Sequence, residues 1–211
     1  IAGSRSGSPT ARLVAWLLHL TGARVGLACA DGLFVGRWQV ERTDCATWDA
    51  GQRLLINRGV EAAVIENGAR TILGEGLAYD RCRVGVVTGA GGSEDLSDYD
   101  VHDPEKMFDV LRTQVDVVPP DGAAVLDADD PLVLRMASLC DGEVILYGPD
   151  SRSPAIVEQR GRGGRTLFLE GAQIVMASGP DDSAILRLAT IPSAATGSSA
   201  ISDRDVLAAV A

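Results

Sequence analysis

Lysine is almost absent from this sequence. Of its 19 lysines and arginines only Lys106 is a lysine, and 29 aspartates and glutamates bring the net charge to −10. Binding to a nucleic acid rests on clustered Lys and Arg side chains that neutralise phosphates. The charge balance therefore predicts no nucleic-acid partner.

Cysteine, histidine and long apolar runs are also scarce. The four cysteines are widely spaced and there are only two histidines, which argues against a zinc site or a disulfide framework. Reduced, mostly buried thiols are typical of a cytoplasmic protein. No apolar run reaches the roughly 18 residues that span a membrane, and no signal peptide is visible. Because the chain starts at Ile1 and its last residues, 203–211, have a helical pattern, we expect a piece of a longer protein.

Apolar segments that alternate between strand and helix patterns predict the fold. We expect an α/β domain over residues 1–150, with a P-loop-type, mostly parallel sheet and helices on both faces. Residues 151–198 show short strands without long helices between them, which predicts a small β-rich extension of the same domain. Residues 199–211 would begin a truncated C-terminal lobe. The tryptophans are expected to pack in the interior rather than to stack on bases, and they are Trp16, Trp38 and Trp48.

The first ten residues have the layout of a phosphate-binding loop. A strand end leads into a Gly/Ser turn and then into a helix, with Ser8 as a natural N-cap and Pro9 suited to the first helical position. In such loops backbone N–H groups cradle phosphates and a lysine cancels their charge. Here the loop is present and the lysine is missing.

Other predicted strands also end in polar groups. Glu66 follows the strand 60–66, a Gly/Asp-rich loop follows Thr88, and Asp127 closes the strand 122–127. In a parallel sheet these carboxyl ends meet at one edge, where ligands bind.

Together these segments resemble the central, ATP-binding domain of the Mur ligase superfamily, as found in the C-terminal region of cyanophycin synthetase-like proteins. The resemblance covers nearly the whole chain. It is carried by the opening loop and by the following segments: 12–13, 75–82, 84–88, 111–116, 128–133 and 140–144.

The resemblance implies an ATP-dependent carboxylate–amine ligase that uses Mg²⁺ and an amino-acid or peptide substrate. Glu66 takes the place of the family's Mg²⁺-binding glutamate, with the Ser8 hydroxyl as a second candidate ligand. Asp127 takes the place of the asparagine that contacts adenine. The residues implied in ATP binding are Gly3, Ser4, Arg5, Gly7, Ser8, Thr10 and Asp127.

Several positions depart from the family pattern. The family loop reads Gly-Thr-Asn-Gly-Lys-Thr, whereas this chain has Gly-Ser-Arg-Ser-Gly-Ser, so that Gly7 replaces the lysine. Such an electrostatic group is commonly worth about 3–4 kcal/mol in the transition state. Asp95 stands where a loop histidine is expected, and Leu111 stands near the place of a second lysine. We therefore predict a degenerate ATP site and no assigned catalytic residue.

Three interpretations remain open. The first is a non-catalytic domain with a structural role, for instance in forming a homo-oligomer or in positioning other domains of the parent chain. The second is a working ligase that uses Arg5 and Ser8 in a modified loop. The third is a module that binds a nucleotide or an anion on the loop N–H groups without chemistry.

Overall fold

A computed structural model of the chain describes residues 1–3, 7–91, 95–191 and 201–211. Eight α-helices and ten β-strands lie in these ranges. The helices are α1 (Ser8–Leu20), α2 (Trp48–Leu55), α3 (Ala69–Gly74), α4 (Pro104–Leu111), α5 (Thr113–Asp116), α6 (Pro131–Arg135), α7 (Pro154–Gly161) and α8 (Asp203–Val210). The strands are β1 (Val25–Cys29), β2 (Gly32–Val35), β3 (Trp38–Glu41), β4 (Ala62–Ile65), β5 (Val84–Val87), β6 (Ala123–Asp127), β7 (Glu143–Asp150), β8 (Arg165–Glu170), β9 (Gln173–Ser178) and β10 (Asp181–Arg187).

The strands form two sheets. The smaller one has the order β3-β2-β1-β4, and the larger one has the order β10-β9-β8-β7-β6-β5. Pairing is parallel from β5 through β8 and antiparallel from β8 through β10. The predicted mostly parallel sheet is confirmed.

A two-residue segment joins these sheets. Ala2 forms parallel bridges to Asn67 on one side and to Val87 on the other. Its N–H donates to the carbonyl of Val86 at 2.8 Å, and its carbonyl accepts from the N–H of Thr88 at 3.0 Å. The opening loop therefore follows a strand-like segment at the centre of a continuous sheet.

Helices cover both faces, as alternating strand residues show. In β6, Ala124 and Leu126 belong to one apolar core, while Val125 belongs to the core on the other face. The first core lies under α4, α6 and α7, and the second lies under α1 and α8. A smaller cluster packs α2 against the four-stranded sheet.

Two features differ in detail from the sequence pattern. A helix, α7, stands between β7 and β8; it buries only Ile156 deeply, so its apolar pattern is weak. The helical pattern of residues 104–118, which predicts one helix, is divided into α4 and α5 at Arg112. Strands β8 to β10 form the β-rich region after residue 150 and continue the main sheet. The boundaries at residues 150 and 198 stay predictions.

The expectation that all three tryptophans pack in the interior is wrong for Trp38 and Trp48. The side chain of Trp38 is 81% exposed, on the edge strand β3 of the smaller sheet, and that of Trp48, at the start of α2, is 41% exposed.

Candidate functional site

The opening loop lies at the carboxyl ends of the central strands. Because Ala2 pairs in parallel with residues beside β4 and β5, Gly3 is placed next to Thr88 at the end of β5. A Cβ at Gly3 would lie 2.3 Å from Oγ1 of Thr88. The close approach of these two segments therefore favours glycine at position 3.

Glu66 is the centre of the loop's hydrogen bonding. Its side chain follows β4 and is 6% exposed. The Gly7 N–H donates to Oε1 at 2.7 Å, and the Ser8 hydroxyl donates to Oε2 at 2.5 Å. The N–H of Ala30, in the turn after β1, donates to the same Oε2 at 2.9 Å. The carboxylate thus binds two donors of the loop and one of a neighbouring turn.

A buried polar network supports the residue after Glu66. The Asn67 amide donates to the Tyr79 hydroxyl at 2.8 Å and to Oε1 of Gln114 at 2.9 Å. The Tyr79 hydroxyl also donates to Oε1 of Gln114, at 3.0 Å. Burial raises the pKa of Tyr79 to about 12, so the phenol stays protonated at neutral pH. These contacts fix the strand end that carries Glu66.

Thr10 and Asp127, two residues predicted to contact ATP, both contact helix α8. The fully buried Thr10 hydroxyl donates to Oδ1 of Asp205 at 3.0 Å. The carboxylate of Asp127, 1% exposed, accepts two hydrogen bonds from one nitrogen of Arg204, at 2.7 and 2.6 Å. The same guanidinium donates to Oδ2 of Asp129 at 2.6 Å.

The pKa of Arg204 reflects two opposing effects. Partial burial lowers it, and the contacts with Asp127 and Asp129 raise it by more, so that the net direction is upward. The guanidinium therefore carries a full charge at any physiological pH.

The remaining predicted positions lie apart from this cluster or outside the described residues. Ser4 and Arg5 belong to the latter. The Lys106 ammonium binds the Asp100 carboxylate at 2.6 Å and lowers the pKa of that carboxyl group. Leu111, near the family's second lysine position, is fully buried in an apolar core, and Asp95 binds the N–H of Ser97 at 3.0 Å.

Sequence reasoning did not find Arg204 or Ala30. Arg204 is one of many dispersed arginines, and only the fold brings it to the end of β6. Ala30 contributes through its backbone, which no side-chain motif reveals. A weak signal for Arg204 exists, because an aspartate at the buried end of a strand requires a partner.

The chemistry available to the described residues follows from these contacts. Glu66 and Ser8 present adjacent oxygens, the ligand type that Mg²⁺ prefers. Within the described ranges, no group of three or more His, Cys, Asp and Glu side chains is arranged to hold a metal ion. No helix in those ranges is long and apolar enough to cross a membrane.

The fold of the chain is similar to that of solved Mur ligases and of FolC. The structure of UDP-N-acetylmuramoyl-L-alanyl-D-glutamate–2,6-diaminopimelate ligase matches with a TM-score of 0.61 and 15% identity, over 88% of this chain and 38% of that one. E. coli FolC in complex with DHPP and ADP matches with a TM-score of 0.55 and 13% identity, over 99% of this chain and 55% of that one. The chain has the Mur ligase-like fold.

Sequence similarity then points to particular relatives. Cyanophycin synthetase of Crocosphaera subtropica is 34% identical over 179 residues, and that of Nostoc sp. is 28% identical over 192. These matches cover 85% and 91% of this chain but only 20% and 21% of the relatives, so the chain spans about a fifth of the length of the curated relatives it matches. No family model matches the chain. The predicted resemblance is confirmed: the chain is similar to a region of cyanophycin synthetases and has the Mur ligase-like fold.

Proposed function

We propose that this chain is a non-catalytic Mur ligase-like domain of a larger, cyanophycin synthetase-like cytoplasmic protein. Its ATP site is degenerate, and its role is structural, in holding other domains of the parent chain or in forming a homo-oligomer. The resemblance to the Mur ligase superfamily implies an amino-acid or peptide substrate for the parent protein. ATP and Mg²⁺ are the cofactors implied by the resemblance.

One observation carries the proposal: the Glu66 carboxylate accepts hydrogen bonds from the donors of the loop. In a working phosphate loop the backbone N–H at the lysine position faces an anionic phosphate. Here that N–H belongs to Gly7, and it donates to the Glu66 carboxylate together with the Ser8 hydroxyl. A carboxylate of the protein therefore satisfies the donors that a phosphate would need.

The charges around the loop add support. Pro9 has no N–H to offer, and Gly7 brings no ammonium group. The ammonium group of Lys106 binds the Asp100 carboxylate, and Leu111, near the place of the family's second lysine, is an uncharged residue buried in the core. Glu66 and Ser8 offer Mg²⁺ ligands, but the described residues of the loop, 1–3 and 7–10, carry no cationic side chain for the triphosphate.

Titration calorimetry with ATP and Mg²⁺ tests the proposal. We expect no turnover and a Kd weaker than about 1 mM, which corresponds to less than about 4 kcal/mol of binding free energy. Gly7→Lys is the matched variant, because Gly7 has a helical φ of −86° that accepts a side chain. Tighter binding by this variant would identify the missing lysine as the cause. Micromolar binding with ATP turnover by the natural chain would contradict the proposal.

A second candidate function is a nucleotide- or anion-binding module without chemistry. The adjacent oxygens of Ser8 and Glu66, 2.5 Å apart, favour it because they suit a Mg²⁺-bound ligand. Thermal unfolding across titrations of phosphate, ADP and ATP with Mg²⁺ separates the two functions. Unchanged unfolding temperatures would reject the module, and a saturable rise without turnover would support it.

A further inference from the structure

Strand β3 is an edge of the smaller sheet, and its side chains do little to keep another strand away. It pairs with β2 on one side, and no strand of the described residues pairs with it on the other. Its four residues include neither lysine nor proline, the residue types that commonly block an edge. Trp38 and Val40 are 81% and 58% exposed. The backbone groups on this side of β3 are therefore available to a further strand.

The turn before β3 determines which backbone groups face outward. Gly36 and Arg37 connect β2 to β3, and Gly36 has the positive φ, +58°, that two-residue hairpin turns need at their first central position. The residues that flank such a turn, Val35 and Trp38, are directly paired. Because hydrogen-bonded and outward-facing residues alternate along a strand, the N–H and C=O of Gln39 point toward the free edge.

The residues of this edge are complementary to those of a second copy. When two β3 strands run antiparallel with Gln39 opposite Gln39, Arg37 of each copy lies opposite Glu41 of the other, and Trp38 lies opposite Val40. The two Gln39 residues can then exchange their outward N–H···O=C hydrogen bonds. Opposite charges, and an aromatic residue opposite a β-branched one, are favourable cross-strand pairs. One arrangement thus satisfies the backbone, the charges and the apolar side chains.

The surface beside the edge adds apolar area on one face. Trp38 lies on the face that α2 covers, because it pairs with Val35, which packs on the core beneath that helix. Arg53 of α2 binds Glu41 of β3 at 2.7 Å, so this side of the helix faces the edge. Ile56, three residues further on, is 75% exposed. A two-fold axis perpendicular to the sheet keeps the α2 helices of both copies on the same face.

We propose that two copies of this chain associate through their β3 strands and form a continuous sheet with the order β2-β3-β3-β2 across the contact. Trp38 alone exposes on the order of 200 Å², about a quarter of what each partner contributes to a standard interface. The contact is therefore small, and the association is weak and reversible. This inference rests on the structural role proposed above, because it names the surface that forms the homo-oligomer.

Sedimentation velocity of the 211-residue chain over a concentration series tests the pairing. We expect a reversible dimer with a Kd of about 10–100 µM. Gln39→Pro removes the outward N–H and leaves the hydrogen bonds to β2, so it should weaken the dimer at least about tenfold. Trp38→Thr should weaken it by a similar factor. The matched control is Ile185→Thr, a change of a 41% exposed residue on the opposite edge strand β10, which should leave the Kd unchanged.

Charge reversal tests the alignment of the two strands. Arg37→Glu and Glu41→Arg each place like charges opposite one another at both ends of the contact, so either variant alone should dimerise about fivefold more weakly. An equimolar mixture of the two variants restores opposite charges and should associate within about threefold of the natural chain. Mixing cannot repair misfolding or the lost contact between Glu41 and Arg53, so this recovery separates pairing from a structural effect.

Three results would overturn the pairing. They are a chain that stays monomeric up to about 500 µM, a dimer that Gln39→Pro and Trp38→Thr leave intact, and a mixture of the charge variants that associates no better than each variant alone. None of these measurements uses nucleotide. A failure of the pairing is therefore distinct from a failure of the proposed non-catalytic role, which ATP binding with turnover would contradict in a monomer and in a dimer alike.

Discussion

Replacing Glu66 with alanine should be among the most damaging single changes near the loop. The substitution removes the acceptor of three hydrogen bonds, from Gly7, Ser8 and Ala30. A hydrogen bond to a charged group contributes about 1.5–3 kcal/mol net, so the three together set an upper bound of about 9 kcal/mol. Water entering the opened loop replaces part of this, and we expect a loss of about 3–4 kcal/mol.

Glu66→Gln should lower the free energy of unfolding by less, because the two oxygens of Glu66 accept different numbers of hydrogen bonds. Oε2 accepts from Ser8 and Ala30, whereas Oε1 accepts only from Gly7. A glutamine carbonyl can keep the first two donors and place its amide against the Gly7 N–H. One lost hydrogen bond then predicts a cost of about 1–2 kcal/mol.

Urea unfolding followed by circular dichroism measures both variants. With a slope near 3 kcal/mol/M, Glu66→Ala should lower the midpoint by about 1 M. The control is Glu61→Ala, one residue before β4, whose exposed carboxylate pairs with Arg24 and should leave the midpoint almost unchanged. If the free energies of unfolding of Glu66→Ala and Glu61→Ala differ by less than about 0.5 kcal/mol, then the Glu66 substitution behaves like a surface change and Glu66 does not organise the loop.

Three further predictions concern the core and the loop. Leu111→Lys, which restores the family's second lysine, should destabilise the chain by more than about 3 kcal/mol because it buries an unpaired charge. Leu111→Met should destabilise it by less than about 1.5 kcal/mol, and thermal unfolding measures both variants. Gly3→Ala should cost about 1–3 kcal/mol through its clash with Thr88, and Thr88→Ala in the same chain should recover part of that loss in the same assay. Burial raises the pKa of Cys29 to about 11 and removes its thiol from solvent, so iodoacetamide should leave Cys29 of the folded protein unlabelled at pH 8 while it labels the urea-unfolded protein; peptide mass spectrometry reads both, and rapid labelling of the folded protein at pH 8 would contradict this. The linked stability is complete below the ordinary pKa of 9.0 and is lost as the pH rises toward 11.

Sequence patterns predicted the part of the fold that depends on strong local signals. The strand 122–127 and the helix after Ser8 have clear apolar periods, and the structure places β6 and α1 there. The predicted cap is wrong, because Gly7 is the N-cap of α1 and Ser8 is its first residue, with its hydroxyl bound to Glu66. Helix α7 has one deeply buried residue, Ile156, and its weak pattern left it undetected. Trp38 was misplaced because residue type alone does not tell an edge strand from a central one.

For the site, the sequence predicted that Glu66, Ser8 and Asp127 lie at one edge of the sheet, because the carboxyl ends of parallel strands share an edge. The hydrogen-bond partners of these side chains could not be predicted from the sequence. Arg204 lies 77 residues from Asp127 along the chain, and Ala30 acts through an N–H that every residue type but proline has. Contacts of this kind depend on tertiary packing alone.

The segment at Ala2 has a consequence for how the sheet is assembled. Residues 1 and 2 contact strands that lie about 65 and 85 positions later, so this junction closes long loops. Contacts between distant parts of a chain form late in folding, after the entropy of loop closure has been overcome. The four-stranded and six-stranded sheets should therefore form first and separately, and the loop beside Glu66 should become ordered only when Ala2 pairs with both of them. Under mild denaturant the same junction should open first, so that the two sheets separate at the loop beside Glu66.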